Sequence, residues 1–195
     1  MTTKSKTPKK TTTKKRQPSK PMKELPPNPF AYEVLGLVSE QTTTPKKIQV
    51  LQKYEHDSLK ALFIWNFDES VISLLPPGEV PYSSMKDEQN NTGTLTTRIG
   101  QQVNTLAHNQ TTHVNEGHTT LRREWTKLYN FIKGGNDKLN GLRRETMFIN
   151  ILTGLHPLDA EILCLVKDKK LSDKYKITRA NVETAYPDIQ WGNRS

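Results

Sequence analysis

The stretch HPLDAEILCLVKDKK, residues 156–170, decides the fold class of this chain. It holds a histidine, an aspartate and the only cysteine of the sequence, so a thiol active site and a plain helix are its two interpretations. On a helix that turns 100° per residue, Asp159 and Cys164 lie about 140° apart, and His156 lies about 12 Å along the axis from Cys164. Side chains placed in this way do not converge on one reacting atom. The stretch is therefore interpreted as a helix.

The apolar run inside this stretch predicts how the helix packs. Residues 162–166 are five consecutive apolar residues, which predicts a helix that is buried nearly all round. Cys164 falls inside the run, so we expect a buried thiol that packs in the core and is not reactive. Acidic residues precede the run and lysines follow it, an order that favours the helix macrodipole.

Helix start signals recur nearer the N-terminus. Asn28 is the predicted cap of a helix over 29–40, whose first turn is opened by a proline. Thr44 is the predicted cap of a second helix that Pro45 opens, and Asp57 is the predicted cap of a third.

Further helical segments follow along the chain. A single helical turn is predicted over 68–75, before a Pro-Pro-Gly stop. Apolar residues at helical spacing predict a helix over 121–132 that ends at Gly134 and Gly135. Another helix is predicted to end at Gly154, and Thr178 is the predicted cap of the last one.

No segment alternates apolar and polar residues as a half-buried strand does. The sequence therefore predicts an all-α fold, a small bundle of about seven short helices with a disordered basic N-terminal tail and a polar mobile insertion. The predicted layout is a tail over 1–24, the N-terminal half of the domain over 25–81, the insertion over 82–118 and the C-terminal half over 119–195.

Charge is concentrated in the tail. The whole chain has 29 basic and 20 acidic residues, a net charge of +9. Residues 1–24 hold nine of the basic residues and one acidic residue, a net charge of +8. The basic residues of the tail are Lys4, Lys6, Lys9, Lys10, Lys14, Lys15, Arg16, Lys20 and Lys23. Clustered lysines neutralise phosphates without reading sequence, so the tail indicates non-specific nucleic-acid affinity, and a purely solubilising tail is the alternative.

Two pairs of arginines form the second candidate site. Arg122 and Arg123 lie on one predicted helix, and Arg143 and Arg144 lie on the next. These pairs are either solvated helix faces or a small site for phosphate or an acidic partner.

Other chemistries find little support in the sequence. His108, His113 and His118 recur every five residues, which places neighbours on opposite helix faces, so no metal site is predicted. The sequence contains no phosphate-loop signature and no convergent set of acid, base and nucleophile, so we expect no cofactor and no enzyme activity. A single cysteine fits a reducing cytoplasm, and no apolar run approaches the roughly 20 residues that span a bilayer.

Several segments together resemble a family of proteins of similar length that large contractile-tailed phages of marine bacteria and cyanobacteria encode. The segments are FAYEVLGLVSEQTTTPKKIQVLQKY, ALFIWNFDESVISLLPPGEVPY, LYNFIKGGN, LRRETMFINILTGLHPLDAEILCLVKDKKL and ITRANVETAYPDI. They cover most of 30–189. The resemblance implies a phage protein made in the cytoplasm of a host bacterium, and it assigns no catalytic residue.

Two functions are consistent with these features. In the first, the protein is a non-enzymatic accessory protein whose helical domain docks on a phage or host protein while the tail holds nucleic acid. In the second, it is a structural or assembly protein of the virion, and the tail contacts packaged DNA. Membrane binding is not expected, because no amphipathic period supports it.

Overall fold

The computed structural model of the chain describes residues 23–82, 93–94 and 119–194. Most of the predicted disordered tail and of the predicted mobile insertion lies outside the described residues.

The described residues form a helical domain, which confirms the predicted all-α fold. Its eight α-helices are α1 (Ala31–Glu40), α2 (Thr44–Lys53), α3 (Asp57–Phe67), α4 (Leu121–Glu124), α5 (Gly141–Gly154), α6 (Pro157–Lys167), α7 (Leu171–Lys174) and α8 (Arg179–Ala185). A 3₁₀ helix, Trp125–Phe131, continues directly from α4. Two strands of two residues each, β1 (Pro81–Tyr82) and β2 (Gly93–Thr94), pair antiparallel.

Helix α6 lies at the centre of the packing, against α1, α3 and α5, while α2 packs on α8. Helices from before and after residues 82–118 thus share one apolar core. The hydroxyl of Tyr186 donates to the carbonyl of Leu51 at 2.8 Å, which ties the segment after α8 to α2.

Helix α6 forms as predicted, but its burial is not complete. Ile162, Leu163 and Val166 are fully buried, whereas Cys164 and Leu165 are partly buried at the edge of the core. Cys164 is therefore less buried than predicted, although it packs against the core. Five consecutive residues extend over more than one helical turn, so some of them must point away from the buried face.

Three predicted caps are displaced by one or more residues. Helix α1 begins at Ala31, and the N–H of Phe30 donates to Glu33 Oε2 at 2.8 Å, so Asn28 is not the cap. Thr44 is the first residue of α2 and not its cap. Asp57 likewise begins α3, because the preceding His56 supplies the cap by accepting from the N–H of Ser58.

The helical turn predicted over 68–75 is wrong. This segment is extended where Ser73 pairs with Ile132 in an antiparallel bridge. The N–H of Leu74 donates to the carbonyl of Phe131 at 2.8 Å, so the backbone hydrogen bond goes to a distant segment and not to a helical turn. The carboxylate of Asp68 accepts from Ser70, which stabilises a local turn in place of a helix start.

Other predicted signals hold. Thr178 caps α8 reciprocally with Asn181, and Ile177 and Val182 are both buried beside that cap. Gly134 follows the 3₁₀ helix with φ +78°, a conformation that suits the predicted glycine stop.

Candidate functional site

The structure places the predicted basic residues in different settings. Of the nine basic tail residues only Lys23 is described, and it is exposed. The other eight predicted nucleic-acid contacts, from Lys4 to Lys20, lie outside the described residues.

Arg144 is a structural residue. It is only 7% exposed, and its Nε donates to the carbonyl of Asn130 at 2.8 Å. Its Nη2 donates to the carbonyls of Leu139 at 2.8 Å and Asn136 at 3.1 Å. The guanidinium therefore holds the loop before α5 from inside and does not present its donors to a phosphate. Arg143, the preceding residue of α5, is exposed.

Arg122 and Arg123 lie at a different place from that pair. Both line a cavity of about 390 Å³, and neither Arg143 nor Arg144 contributes to its lining. Arg122 is half-buried, with its Nε 3.4 Å from the carbonyl of Pro29, and Arg123 is exposed. Among the four predicted arginines, the structure therefore assigns two to the cavity.

The cavity is formed where the N-terminal ends of four helices meet. Residues 28–31 lead into α1, Ser58 and Leu59 belong to the first turn of α3, residues 119–123 contain the start of α4, and Asp159 belongs to the first turn of α6. The unpaired N–H groups of a helix N-terminus carry partial positive charge. Several of these groups already have acceptors in the protein, Glu33 for Phe30, Asp159 for Tyr32 and His56 for Ser58, so the two arginines are the main cationic groups of the cavity.

Asp159 is the buried polar residue of this cavity. It is 1% exposed, and its Oδ1 accepts from the N–H of Tyr32 at 2.9 Å. Its Oδ2 is buried and has no hydrogen-bond partner among the described residues. Burial raises the pKa of Asp159 from 3.8 to about 7; backbone hydrogen bonds from Tyr32 and Ala31 oppose this rise, and the charge of Glu33 adds to it. The carboxyl therefore titrates near neutral pH.

Aromatic rings pack on Tyr32, the residue whose N–H binds this acid group. His156 stacks on Tyr32 with ring centroids 4.7 Å apart and lies 5.5 Å from Phe30, while its Nδ1 accepts from the N–H of Leu158. Burial, and to a smaller extent the charge of nearby Arg122, lower the pKa of His56. The lowered pKa favours the neutral form of the ring. The cavity thus combines two cations, a buried carboxyl and apolar walls.

The surroundings of Cys164 disfavour the thiolate form of its side chain. Burial raises the pKa of Cys164 to about 12, so the sulfur is protonated at neutral pH. Thiolate is the nucleophilic form of cysteine. The set of His156, Asp159 and Cys164 therefore lacks a nucleophile at neutral pH.

Sequence reasoning missed the cavity. Asp159 was interpreted as a charge that favours the macrodipole of α6, and nothing local shows that its partner N–H lies 127 residues away at Tyr32. The sequence signal that could indicate a buried acid here is an acidic residue at a helix start, followed directly by a strongly apolar run.

In the described ranges no group of three or more His, Cys, Asp and Glu side chains is placed to hold a metal ion. His108, His113 and His118 lie outside these ranges. Among the described helices, none has the length and apolar composition to cross a bilayer.

The fold and the site define an all-α domain with a polar cavity at converging helix N-termini. The chain belongs to a family of unknown function, DUF6433, which matches residues 34–109 and 101–173. No curated protein and no solved structure matches the chain.

Proposed function

We propose that this protein is a non-enzymatic accessory protein of a phage that infects marine bacteria. Its helical domain docks on a phage or host protein in the bacterial cytoplasm, while the lysine-rich tail holds nucleic acid without reading its sequence. The resemblance of several segments to proteins of contractile-tailed phages supports the phage origin.

The charge distribution supports the nucleic-acid role. Residues 1–24 carry +8 of the net +9, so the other 171 residues have 20 basic and 19 acidic side chains and are nearly neutral. Binding to phosphates releases condensed counterions. The free energy gained from this release requires clustered cations, and it does not require a folded site. A neutral domain with a cationic extension is suited to bringing a docked protein to nucleic acid.

The tail is tested in the full-length chain with two variants. In one, all nine basic tail residues are changed to glutamine; in the other, residues 2–24 are scrambled. We expect duplex DNA binding to be lost in the first and kept in the second, because point charges and not their order carry the affinity. For the wild type, log K should fall with log salt at about −0.9 per contacted phosphate. Binding that survives neutralisation of the tail contradicts the proposal.

The docking partner is tested by affinity purification of the tagged chain from infected cells at early and late times, with mass spectrometry. Recovery of one replication or transcription protein in stoichiometric amount supports the accessory role. Recovery of capsid or tail proteins, with the chain itself present in purified virions, supports a virion assembly protein instead.

A further inference from the structure

We propose that an apolar groove beside the 3₁₀ helix binds one unstacked base of single-stranded nucleic acid, while cations at the rim of the groove contact the flanking phosphates. The site lies on the folded domain and is separate from the tail. It rests on the proposed function only in that both sites take nucleic acid, and each site is tested without the other.

The groove has a volume of about 250 Å³ and lies between α3 and the 3₁₀ helix, which pack on each other. Ile64 of α3 and Val71, a little further along the chain, line one part of it, and Trp125 and Tyr129 of the 3₁₀ helix line another. Small-molecule sites occupy roughly 300 to 1,000 Å³, so this smaller groove suits a single unit of a chain molecule.

Aromatic surface of the groove is open to a ligand. A 3₁₀ helix has about three residues per turn, so the side chains of Thr126, Tyr129 and Ile132 follow one another along one edge, and all three line the groove. Tyr129 is 51% exposed, and the side chain of Trp125 is half-buried. Ile72 adds further apolar surface, because it is 44% exposed and its neighbour in the chain pairs with Ile132. Aromatic faces placed in this way stack on bases of any identity.

Cations face the solvent at the rim of the groove, whereas their carboxylate partners are turned inward. Arg194 lines the groove with a side chain that is 36% exposed, while the side chain of its partner Asp68 is 4% exposed. The side chain of Lys127 is 56% exposed, and that of its partner Glu124 is 12% exposed. Lys133, directly after the last groove residue of this segment, is exposed and makes no ion pair with a described residue.

The charge and the rings of the groove together match an unstacked nucleotide. The exposed carboxylate of Glu69, next to Asp68, offsets only one of the three rim cations, so a ligand meets mainly positive charge. A base of a single strand has free faces for the rings, and its phosphates carry negative charge for the cations. In a duplex the bases are stacked and paired, so the groove should favour single strands. An acidic peptide with an aromatic side chain is the competing ligand.

The groove is tested in the full-length chain whose nine tail cations are glutamine, so that the tail contributes no phosphate contacts. Fluorescence anisotropy compares a labelled oligothymidine of about 12 nucleotides with a duplex of the same length, and an acidic peptide that carries one tryptophan is the third probe. We expect the single strand to bind with Kd below about 1 mM, and at least about fivefold more tightly than the duplex and the peptide.

Substitutions in the same chain then locate the site. Tyr129→Ala removes the exposed ring and should weaken single-strand binding at least about fivefold, whereas Leu142→Ala, at a 76% exposed position on α5 outside the groove, should leave it unchanged. Lys133→Gln should weaken binding and reduce its salt dependence by about one phosphate contact. Lys176→Gln, beside α1 and α2, should do neither. Circular dichroism verifies that each variant folds.

Photocrosslinking gives a measurement that needs no groove variant. An oligonucleotide that contains iododeoxyuridine is crosslinked to the tail-neutralised chain, and mass spectrometry identifies the attached residue. We expect attachment at Trp125 or Tyr129, because these rings line the groove.

The proposal is overturned if the tail-neutralised chain does not bind the single strand, or if the acidic peptide binds more tightly and makes the groove a protein-docking site. Equal effects of Tyr129→Ala and Leu142→Ala, or crosslinks only outside the groove, overturn it as well. Loss of duplex binding on neutralisation of the tail concerns the tail alone, so either site can fail while the other stands.

Discussion

At the scale of single residues, Asp159 shows how burial couples charge to stability. Its pKa is raised from 3.8 to about 7, chiefly by burial, so the folded state binds a proton that the unfolded state releases. The sign follows directly. The destabilisation from this carboxyl is absent below about pH 4, grows as the pH rises and is complete above about pH 7.

We therefore expect the wild-type chain to lose stability relative to Asp159→Asn by about 1.4 kcal/mol per pH unit between pH 4 and 7, roughly 4 kcal/mol in all. Urea unfolding of both proteins at pH 5, 6, 7 and 8 measures this difference. The exposed Asp173→Asn is the control and should show no such trend. A constant difference between the wild type and Asp159→Asn would falsify the raised pKa.

Arg144 and Arg143 make a matched pair on one helix. Arg144→Met keeps the apolar stem but leaves the carbonyls of Asn130, Asn136 and Leu139 without their donor. We expect a loss of about 2 to 4 kcal/mol in the free energy of unfolding, because unpaired buried acceptors are costly. Arg144→Lys should recover only part of this loss, since an ammonium does not reproduce the planar fork. Arg143→Met should change stability by less than about 0.5 kcal/mol, and equal losses for the two positions would contradict the assignment.

At the scale of elements, glycine has opposite roles at two positions. A Cβ at Gly135 would lie 1.9 Å from the carbonyl oxygen of Tyr129, so the turn after the 3₁₀ helix requires glycine. A Cβ at Gly36, inside α1, would meet nothing within 4 Å. Gly135→Ala should thus lower the free energy of unfolding by about 2 kcal/mol or more, and Gly36→Ala should raise it by about 0.5 to 1 kcal/mol. Chemical denaturation of both variants tests the pair, and a tolerated alanine at position 135 would show that the turn can move.

The sequence predicted the existence of most helices, but it did not predict the residues at which they begin and end. Thr178 was identified as a cap because capping is a local device, and the structure shows that Asn181 completes it reciprocally. The turn over 68–75 was misassigned because an aspartate that starts a helix and one that closes a tight turn make the same local hydrogen bonds. In this structure the segment is extended and not helical, because the N–H of Leu74 donates to the carbonyl of Phe131 on a distant segment.

At the scale of the whole molecule, the cavity and the burial of Lys167, which sequence reasoning missed, depend on long-range pairs. The cavity exists because segments near residues 30, 58, 121 and 159 meet, and neither spacing nor composition predicts that meeting. Lys167 illustrates the same limit. It was interpreted as a charge at the end of α6 that favours the helix macrodipole, yet it is buried and donates to the carbonyls of Pro76 at 2.8 Å and Gly78 at 3.0 Å.

Asp68 joins the C-terminal segment to the rest of the fold. It is 2% exposed; its Oδ1 accepts from Ser70, and its Oδ2 accepts from the N–H of Gly192 at 2.9 Å and lies 3.3 Å from Arg194 Nε. Burial alone would raise the pKa of Asp68, but the hydrogen bonds from Gly192 and Ser70 and the charge of Arg194 hold that pKa below its ordinary value. The stabilisation from this carboxylate is therefore present above about pH 4 and is lost as the pH falls through the lowered pKa, the opposite sense to Asp159.

Asp68→Ala should cost about 2 to 4 kcal/mol at pH 7, because it leaves the N–H of Gly192 without its acceptor and removes the ion pair with Arg194. Hydrogen exchange should then show faster exchange at the Gly192 amide than at amides of α6, since the C-terminal segment detaches before the core opens. The neighbouring Glu69→Ala, at an exposed position, is the control and should leave both quantities unchanged. If Asp68→Ala accelerates exchange uniformly across α6 and the C-terminal segment, the segment unfolds together with the core and the carboxylate is not a local attachment point.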